Sequence, residues 1–394
     1  MEELYLDHAA TTPCAPEVVT AMMPFFAEYY ANPHSSSHVS GALAAQSVED
    51  ARARVAGLIK ADPKEIVFTS GATEANNLAI KGAARFSARH GGNRKRVITL
   101  ATEHKCVLES VRDLAAEGFE PVILPVDANG CVDPERLKAA LAEPTLLVSI
   151  MAANNETGVL QDIEALSALV RGAGALMHSD LAQAAGKIPF DSAWIDLGSI
   201  SAHKIYGPKG VGALYVRHRP RARLEPLFSG GGQERTLRSG TLAPPLIAGF
   251  GVAADLARQR LAQDDAHLRS LRQVFLETLA SEGADFKLAA QSVPSLPGLF
   301  NLRLPGAPAV ELLSCVPELA LSVGSACSSA DIAPSYVLTA MGMTHDAAQE
   351  SLRLSPGRYT TAADMVRAAR LLARAARNVR GSASGHATDT AGDA

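Results

Sequence analysis

From residue 66 to residue 216 short apolar runs alternate with helix-patterned segments, and few folds accommodate that order. Ile66-Val67-Phe68-Thr69 has the pattern of a buried strand. Ser70-Gly71-Ala72-Thr73-Glu74 turns it into a helical pattern running to about Lys81. Strand-like runs recur at 97–100, 122–126, 146–151, 175–178, 197–200 and 211–216. Helical periodicity fills most of the gaps, at 105–117, 134–142 and 163–171. This alternation predicts an α/β fold with a mostly parallel sheet between helices. Such sheets bind ligands beyond the carboxyl ends of their strands, so functional residues are expected there.

The flanks read differently. Residues 5–13 form a polar, small-residue loop ahead of a helical segment that begins near Pro16, and 39–60 is helical by its apolar spacing. Between them His34 and His38 stand four apart, but Pro33 and Ser35-Ser36-Ser37 argue for a loop rather than a metal-binding helix. After Arg217 come a basic, proline-containing run, Gly230-Gly231-Gly232 and a helix over 247–281. Shorter strands at 299–304 and 319–322 and a helix over 362–379 then suggest a smaller α+β domain. The expected division is an N-terminal segment 1–15 packing on the small domain, a large domain 16–255, a small domain 256–380 and a disordered tail 381–394. The tail is Gly, Ser, Ala, Thr and Asp with little to bury.

The bulk properties exclude several function classes. A net charge of -4 over 394 residues gives no reason to expect nucleic acid or an anionic membrane as a partner. The odd count of 5 cysteines, with no Cys-x-x-Cys pair, fits no closed disulfide framework and points to a reducing compartment. Residues 1–7 carry acidic groups without a basic-then-apolar signal, and no apolar run approaches membrane-spanning length. The expected location is the cytoplasm.

Five groups at the expected strand ends carry chemistry. Lys204 lies in Ser201-Ala202-His203-Lys204-Ile205-Tyr206-Gly207-Pro208-Lys209-Gly210, just after a strand-like run. Its amine can form a Schiff base with an aldehyde cofactor, although a lone loop lysine is more often simply solvated. Ser70-Gly71-Ala72-Thr73 offers amides and a hydroxyl to an anion at a helix start, or is a plain N-terminal turn. Asp180, with Gln183 three residues on, can hold a protonated ring nitrogen or cap a helix. His104 can stack on a flat ring or pack in the core, and Asn154-Asn155 adds amides at another strand end or merely a turn.

Taken together, the motifs resemble the cysteine desulfurases. The resemblance rests on Leu6-Asp7-His8-Ala9-Ala10-Thr11-Thr12, Phe68-Thr69-Ser70-Gly71-Ala72-Thr73-Glu74, Asn154-Asn155-Glu156-Thr157-Gly158, the Lys204 segment and Arg238-Ser239-Gly240-Thr241. Gly324-Ser325-Ala326-Cys327-Ser328-Ser329-Ala330 resembles the persulfide-forming loop, of the long-loop subgroup. The similarity spans about residues 4–380. It implies a fold type I enzyme of the class V aminotransferase-like group, homodimeric, with pyridoxal 5'-phosphate as cofactor and L-cysteine as substrate.

The resemblance assigns roles by position. Lys204 would carry the cofactor, with Ala72, Thr73, Ser201 and His203 on its phosphate and Thr241 reaching in from the neighbouring subunit. Asp180 would pair with the pyridine nitrogen, Gln183 with the ring hydroxyl, and His104 would stack on the ring and move protons. Asn155 and Arg353 would bind the substrate carboxylate, for which a planar guanidinium is well shaped. Cys327 would take the sulfur as a persulfide and pass it to an acceptor protein, an iron–sulfur scaffold or a thiolation relay, where it could transiently contact a cluster. The other four cysteines read as structural, and no resident metal is expected. A selenocysteine lyase or aminotransferase of the same fold is the nearest alternative, though an aminotransferase needs no thiol at Cys327. A non-enzymatic scaffold is disfavoured by the presence of both Lys204 and Cys327. Three departures from the family pattern stand out: Ser322-Val323-Gly324 before the thiol, Leu181-Ala182-Gln183 after Asp180, and the tail.

Overall fold

A computed structural model describes residues 3–323 and 334–389. The chain opens with β1 (Leu4–Tyr5), α1 (Pro16–Met22), α2 (Pro24–Ala27) and α3 (Val39–Gly57). The alternation follows as β2 (Ile66–Thr69), α4 (Ala72–Arg89), β3 (Arg96–Leu100), α5 (Lys105–Asp113), β4 (Glu120–Leu124), α6 (Pro134–Ala140), β5 (Thr145–Ser149), α7 (Ile163–Gly172) and β6 (Leu176–Asp180). Next come β7 (Leu197–Ser201), β8 (Gly212–Val216) and α8 (Pro244–Ser281). The remainder is β9 (Lys287–Leu288), β10 (Phe300–Arg303), α9 (Ala309–Cys315), β11 (Leu319–Ala320), α10 (Tyr336–Ala340), α11 (His345–Gln349), β12 (Ser351–Leu354) and α12 (Ala362–Asp389).

Among the described residues the main sheet has the order β2-β8-β7-β6-β5-β3-β4. β3, β4, β5, β6 and β7 run parallel; β8 is antiparallel to both neighbours. The expectation of a mostly parallel sheet between helices therefore holds. Two apolar cores explain it: Ile98, Val148, Met177 and Ile200 join one, and Val97, Leu147, Leu197 and Leu214 the other. Neighbouring residues of one strand serve opposite faces, so the strands read as continuous apolar runs. Each such side chain removed from water contributes roughly 1.5–3 kcal/mol before ordering costs.

β6 departs furthest from that pattern, since three of its five residues, His178, Ser179 and Asp180, are polar yet buried. His178 sits between the hydroxyls of Ser149 at 2.7 Å and Ser199 at 3.1 Å, and burial pushes its pKa down to about 3. A neutral imidazole bridged by two hydroxyls is how the sheet centre tolerates it.

Two boundaries differ from expectation. The helix expected to stop near Lys81 continues to Arg89, because Ala83 and Ala84 extend its buried face until Gly91 turns the chain. α8, expected as one helix over 247–281, changes packing partners along its length. Its first half packs Ile247, Phe250 and Ala254 in one core, and its second half packs Leu271, Phe275 and Leu279 in another with Leu4, Leu6, Phe300 and Leu352. The last helix runs on to Asp389, so the chain expected to be disordered from 381 is helical over its first part. His38 Nδ1 caps α3 by accepting the Gly41 N–H at 3.0 Å.

Candidate active site

The β2-to-α4 junction is shaped by Gly71, whose φ of 153° and ψ of 178° lie in a region open essentially to glycine. That turn starts α4 without a side-chain cap, so its first amides face outward with the positive end of the helix dipole. Glu74 in this first turn accepts the Ser70 N–H at 2.8 Å and pairs with Arg238 at 2.9 Å. The pair ties the 230–241 loop to the same junction.

At the end of β7 a single 3-10 turn, Ala202–Lys204, presents the lysine. Lys204 Nζ donates to the carbonyls of Ala9 at 2.5 Å and Ala10 at 2.7 Å, and His203 Nδ1 lies 3.0 Å from the Thr11 hydroxyl. The polar N-terminal loop thus packs on the lysine. Burial, then the charge of Lys204, brings His203 down to about 4, so it is neutral at ordinary pH. Gln183 donates to the Ala9 carbonyl at 2.8 Å and accepts from Lys187 at 2.7 Å. Burial, then the charges of Lys204 and Arg353, lowers Lys187 to about 7.

Asp180 is the last residue of β6. Its carboxylate accepts from Asn76 Nδ2 at 2.7 Å and from the Ala182 N–H at 2.8 Å, which leaves lone pairs for a further donor. His104 caps α5, its Nδ1 accepting the Cys106 N–H at 3.2 Å. Burial lowers its pKa, Asp180 opposes that, and Lys204 and Lys105 add to it.

Arg353, on β12, reaches over from the small sheet. It donates to the Asn155 carbonyl at 3.1 Å and to Asp7 at 2.6 Å. Its own Nε and the Asn155 Oδ1 are buried without a partner. An unmet buried donor or acceptor costs about 1–3 kcal/mol, which a ligand at that spot would offset.

These side chains share one cavity of about 520 Å³. Ala72, Thr73, His104, Asn155 and Asp180 line it, with Gln183, Ser201, His203, Lys204 and Arg353. Thr241 is exposed and lies outside it, and Cys327 falls outside the described residues. Cys106, expected to be structural, lines the same cavity, and its neighbour Asn76 is fully buried beneath it. The signal for both was spacing: Asn76 is three residues after Thr73 on one helix face, and Cys106 is two after His104.

Residues 4–367 match the aminotransferase class-V family. The chain is 49% identical over 360 residues to the cysteine desulfurase IscS of Rickettsia akari, covering 91% of this chain and 87% of that one. The chain belongs to the cysteine desulfurase family. It is also 50% identical over 364 residues to a mitochondrial cysteine desulfurase of Arthroderma benhamiae, covering 92% of this chain and 72% of that protein. A solved NifS-like protein superposes with a TM-score of 0.86 at 34% identity, over 94% of this chain and 98% of its own. Cysteine desulfurases of this class use pyridoxal phosphate, and the mostly parallel sheet with its strand-end cavity is the architecture of fold type I. Among the described residues no helix is long and apolar enough to cross a membrane.

Proposed function

We propose that this chain is a pyridoxal phosphate-dependent cysteine desulfurase that converts L-cysteine to L-alanine and carries the sulfur on Cys327. The observation that carries the proposal is the convergence of Lys204, Asp180, His104 and Arg353 on one cavity from four separate elements. The residues fit the cofactor. The uncapped start of α4, with Thr73 and Ser201 beside it, suits a phosphate; Asp180 has acceptor capacity for a ring nitrogen; and Gln183 suits a ring hydroxyl. Lys204 supplies the amine that would hold the aldehyde, and His203, neutral at ordinary pH, adds no charge that competes with it.

Pyridoxal phosphate, when bound, draws electron density from the substrate Cα. The chain does the rest. Arg353 and Asn155 seat the substrate carboxylate, the former through its unpartnered Nε. Lys204 and His104 hold and move protons at the substrate. The Cys327 thiolate attacks the substrate sulfur; the electron pair of the Cβ–S bond stays on Cβ, a proton completes alanine, and the thiol becomes a persulfide. An acceptor protein, in iron–sulfur assembly or a thiolation relay, then takes the sulfur.

Thr241, exposed in one chain, would serve the cavity of a second copy. Supporting a homodimer, Met23, Phe26, Tyr29, Tyr30, Val39 and Leu43 are all exposed within one short stretch. The cytoplasm is the compartment that fits free thiols at Cys14, Cys106, Cys131 and Cys315. Purified protein with L-cysteine and a thiol reductant should release alanine and sulfide in equal amounts. Absence of both from cofactor-loaded protein would overturn the reading.

A further inference from the structure

Cys106 occupies a junction that no step above uses. Its Sγ lies 3.2 Å from Asn76 Nδ2 and 3.0 Å from His104 Nδ1. Asn76 Nδ2 simultaneously donates to Asp180 at 2.7 Å. The directions of these bonds are fixed by chemistry. Asp180 as a carboxylate only accepts, so the Asn76 amide must turn its NH2 toward it. A backbone N–H only donates, so His104 Nδ1, which receives that of Cys106, must be a lone pair. The Cys106 contact with Nδ1 is therefore S–H donating to nitrogen. The thiol keeps its proton for this, because burial, then the Asp180 charge, pushes its pKa up to about 12.

We propose that Asn76 and Cys106 form a positioning relay that ties the Asp180 carboxylate to the His104 imidazole and fixes the ring proton of His104 on Nε2. The inference rests on the desulfurase reading for its purpose. It makes the group that faces the cofactor nitrogen and the group that faces the cofactor ring one hydrogen-bonded unit. Neither Asn76 nor Cys106 needs to touch substrate. Protonating His104 would place a hydrogen on Nδ1 against the Cys106 N–H, so the relay keeps the ring neutral and able to accept a proton. The charged groups that bear on the ring are Asp180 from β6, Lys204 after β7 and Lys105 on α5; the first favours protonation and the other two oppose it. The thiol adds a directional term that these charges lack.

The test is the titration and tautomer of His104 in the holoenzyme, read by proton–nitrogen correlation with labelled histidine and assigned with His104→Ala. The wild type should show the Nε2–H tautomer. In Cys106→Ala the His104 pKa should rise by about half a unit or more, the scale of one lost neutral hydrogen bond, and the acid limb of kcat/KM should move up with it. Cys106→Ser restores a donor and should return both toward wild type. Asn76→Ala should cost less in the Cys106→Ala background than alone, as expected for one unit. An Nδ1–H tautomer, an unmoved titration in Cys106→Ala, a serine variant as shifted as alanine, or additive costs would each overturn the relay. The spectra need no turnover, so a failed relay is distinguishable from a failed desulfurase reading, which shows as absent alanine.

Discussion

Arg353 is the residue whose surroundings make the sharpest single-site statement. Two of its nitrogens are already engaged, by Asp7 at 2.6 Å and the Asn155 carbonyl at 3.1 Å, while Nε is buried and unmet. Asp7 therefore aims the guanidinium, which in the proposed function a substrate carboxylate would complete. Arg353→Lys keeps the charge but loses the fork, and charge-assisted hydrogen bonds are worth about 1.5–3 kcal/mol, so kcat/KM for L-cysteine should fall roughly 10- to 100-fold. Steady-state kinetics check this; an unchanged value would remove Arg353 from the site. At this scale the sequence was informative for groups whose chemistry is rare at a strand end, such as Lys204 and Asp180. It assigned no role to Asp7 and Asn76, whose importance lies in what they touch across more than a hundred residues of chain, as Asp7 with Arg353 and Asn76 with Asp180 do, and it took Cys106 as structural.

At the scale of elements, the site exists because strand ends and helix starts meet. Gly71 makes that meeting possible at the start of α4. A Cβ there would meet no atom, but the backbone conformation itself excludes L side chains. Gly71→Ala should thus re-aim the first amides of α4 and weaken pyridoxal phosphate binding by tenfold or more, measured by equilibrium dialysis; unaltered affinity would show that α4 does not hold the phosphate. β6 carries a second, pH-linked consequence. His178 has a folded pKa of about 3 against an ordinary 6.5, so between those values the unfolded chain binds the extra proton. Stability should be full above about pH 6.5 and fall progressively as pH drops toward 3. His178→Asn should flatten that slope in urea unfolding series taken across pH. Element order was legible because strands such as β2 and β8 are buried on both faces and read as apolar runs. The end of α4 was not, since alanines carry weak periodicity.

For the molecule as a whole, the large sheet, the small β9-β10-β12 sheet and the loop after β1 all contribute to one cavity. β12 brings Arg353 and the loop after β1 covers Lys204, which is why the site could be assembled from sequence only by resemblance. The exposed apolar stretch from Met23 to Leu43 and the outward Thr241 predict that the unit is a pair. Phe26→Asp with Tyr30→Asp should halve the mass in sedimentation and lower cofactor affinity along with it; a monomeric wild type would refute the pairing. The central claim is sulfur transfer to one thiol. Cofactor-loaded protein given sulfur-35 L-cysteine for a single turnover should hold about one label per chain, released by a thiol reductant. Cys327→Ala should bind the same cofactor and hold none. Wild-type sulfide release from Cys327→Ala, or label retained without that thiol, would contradict the account.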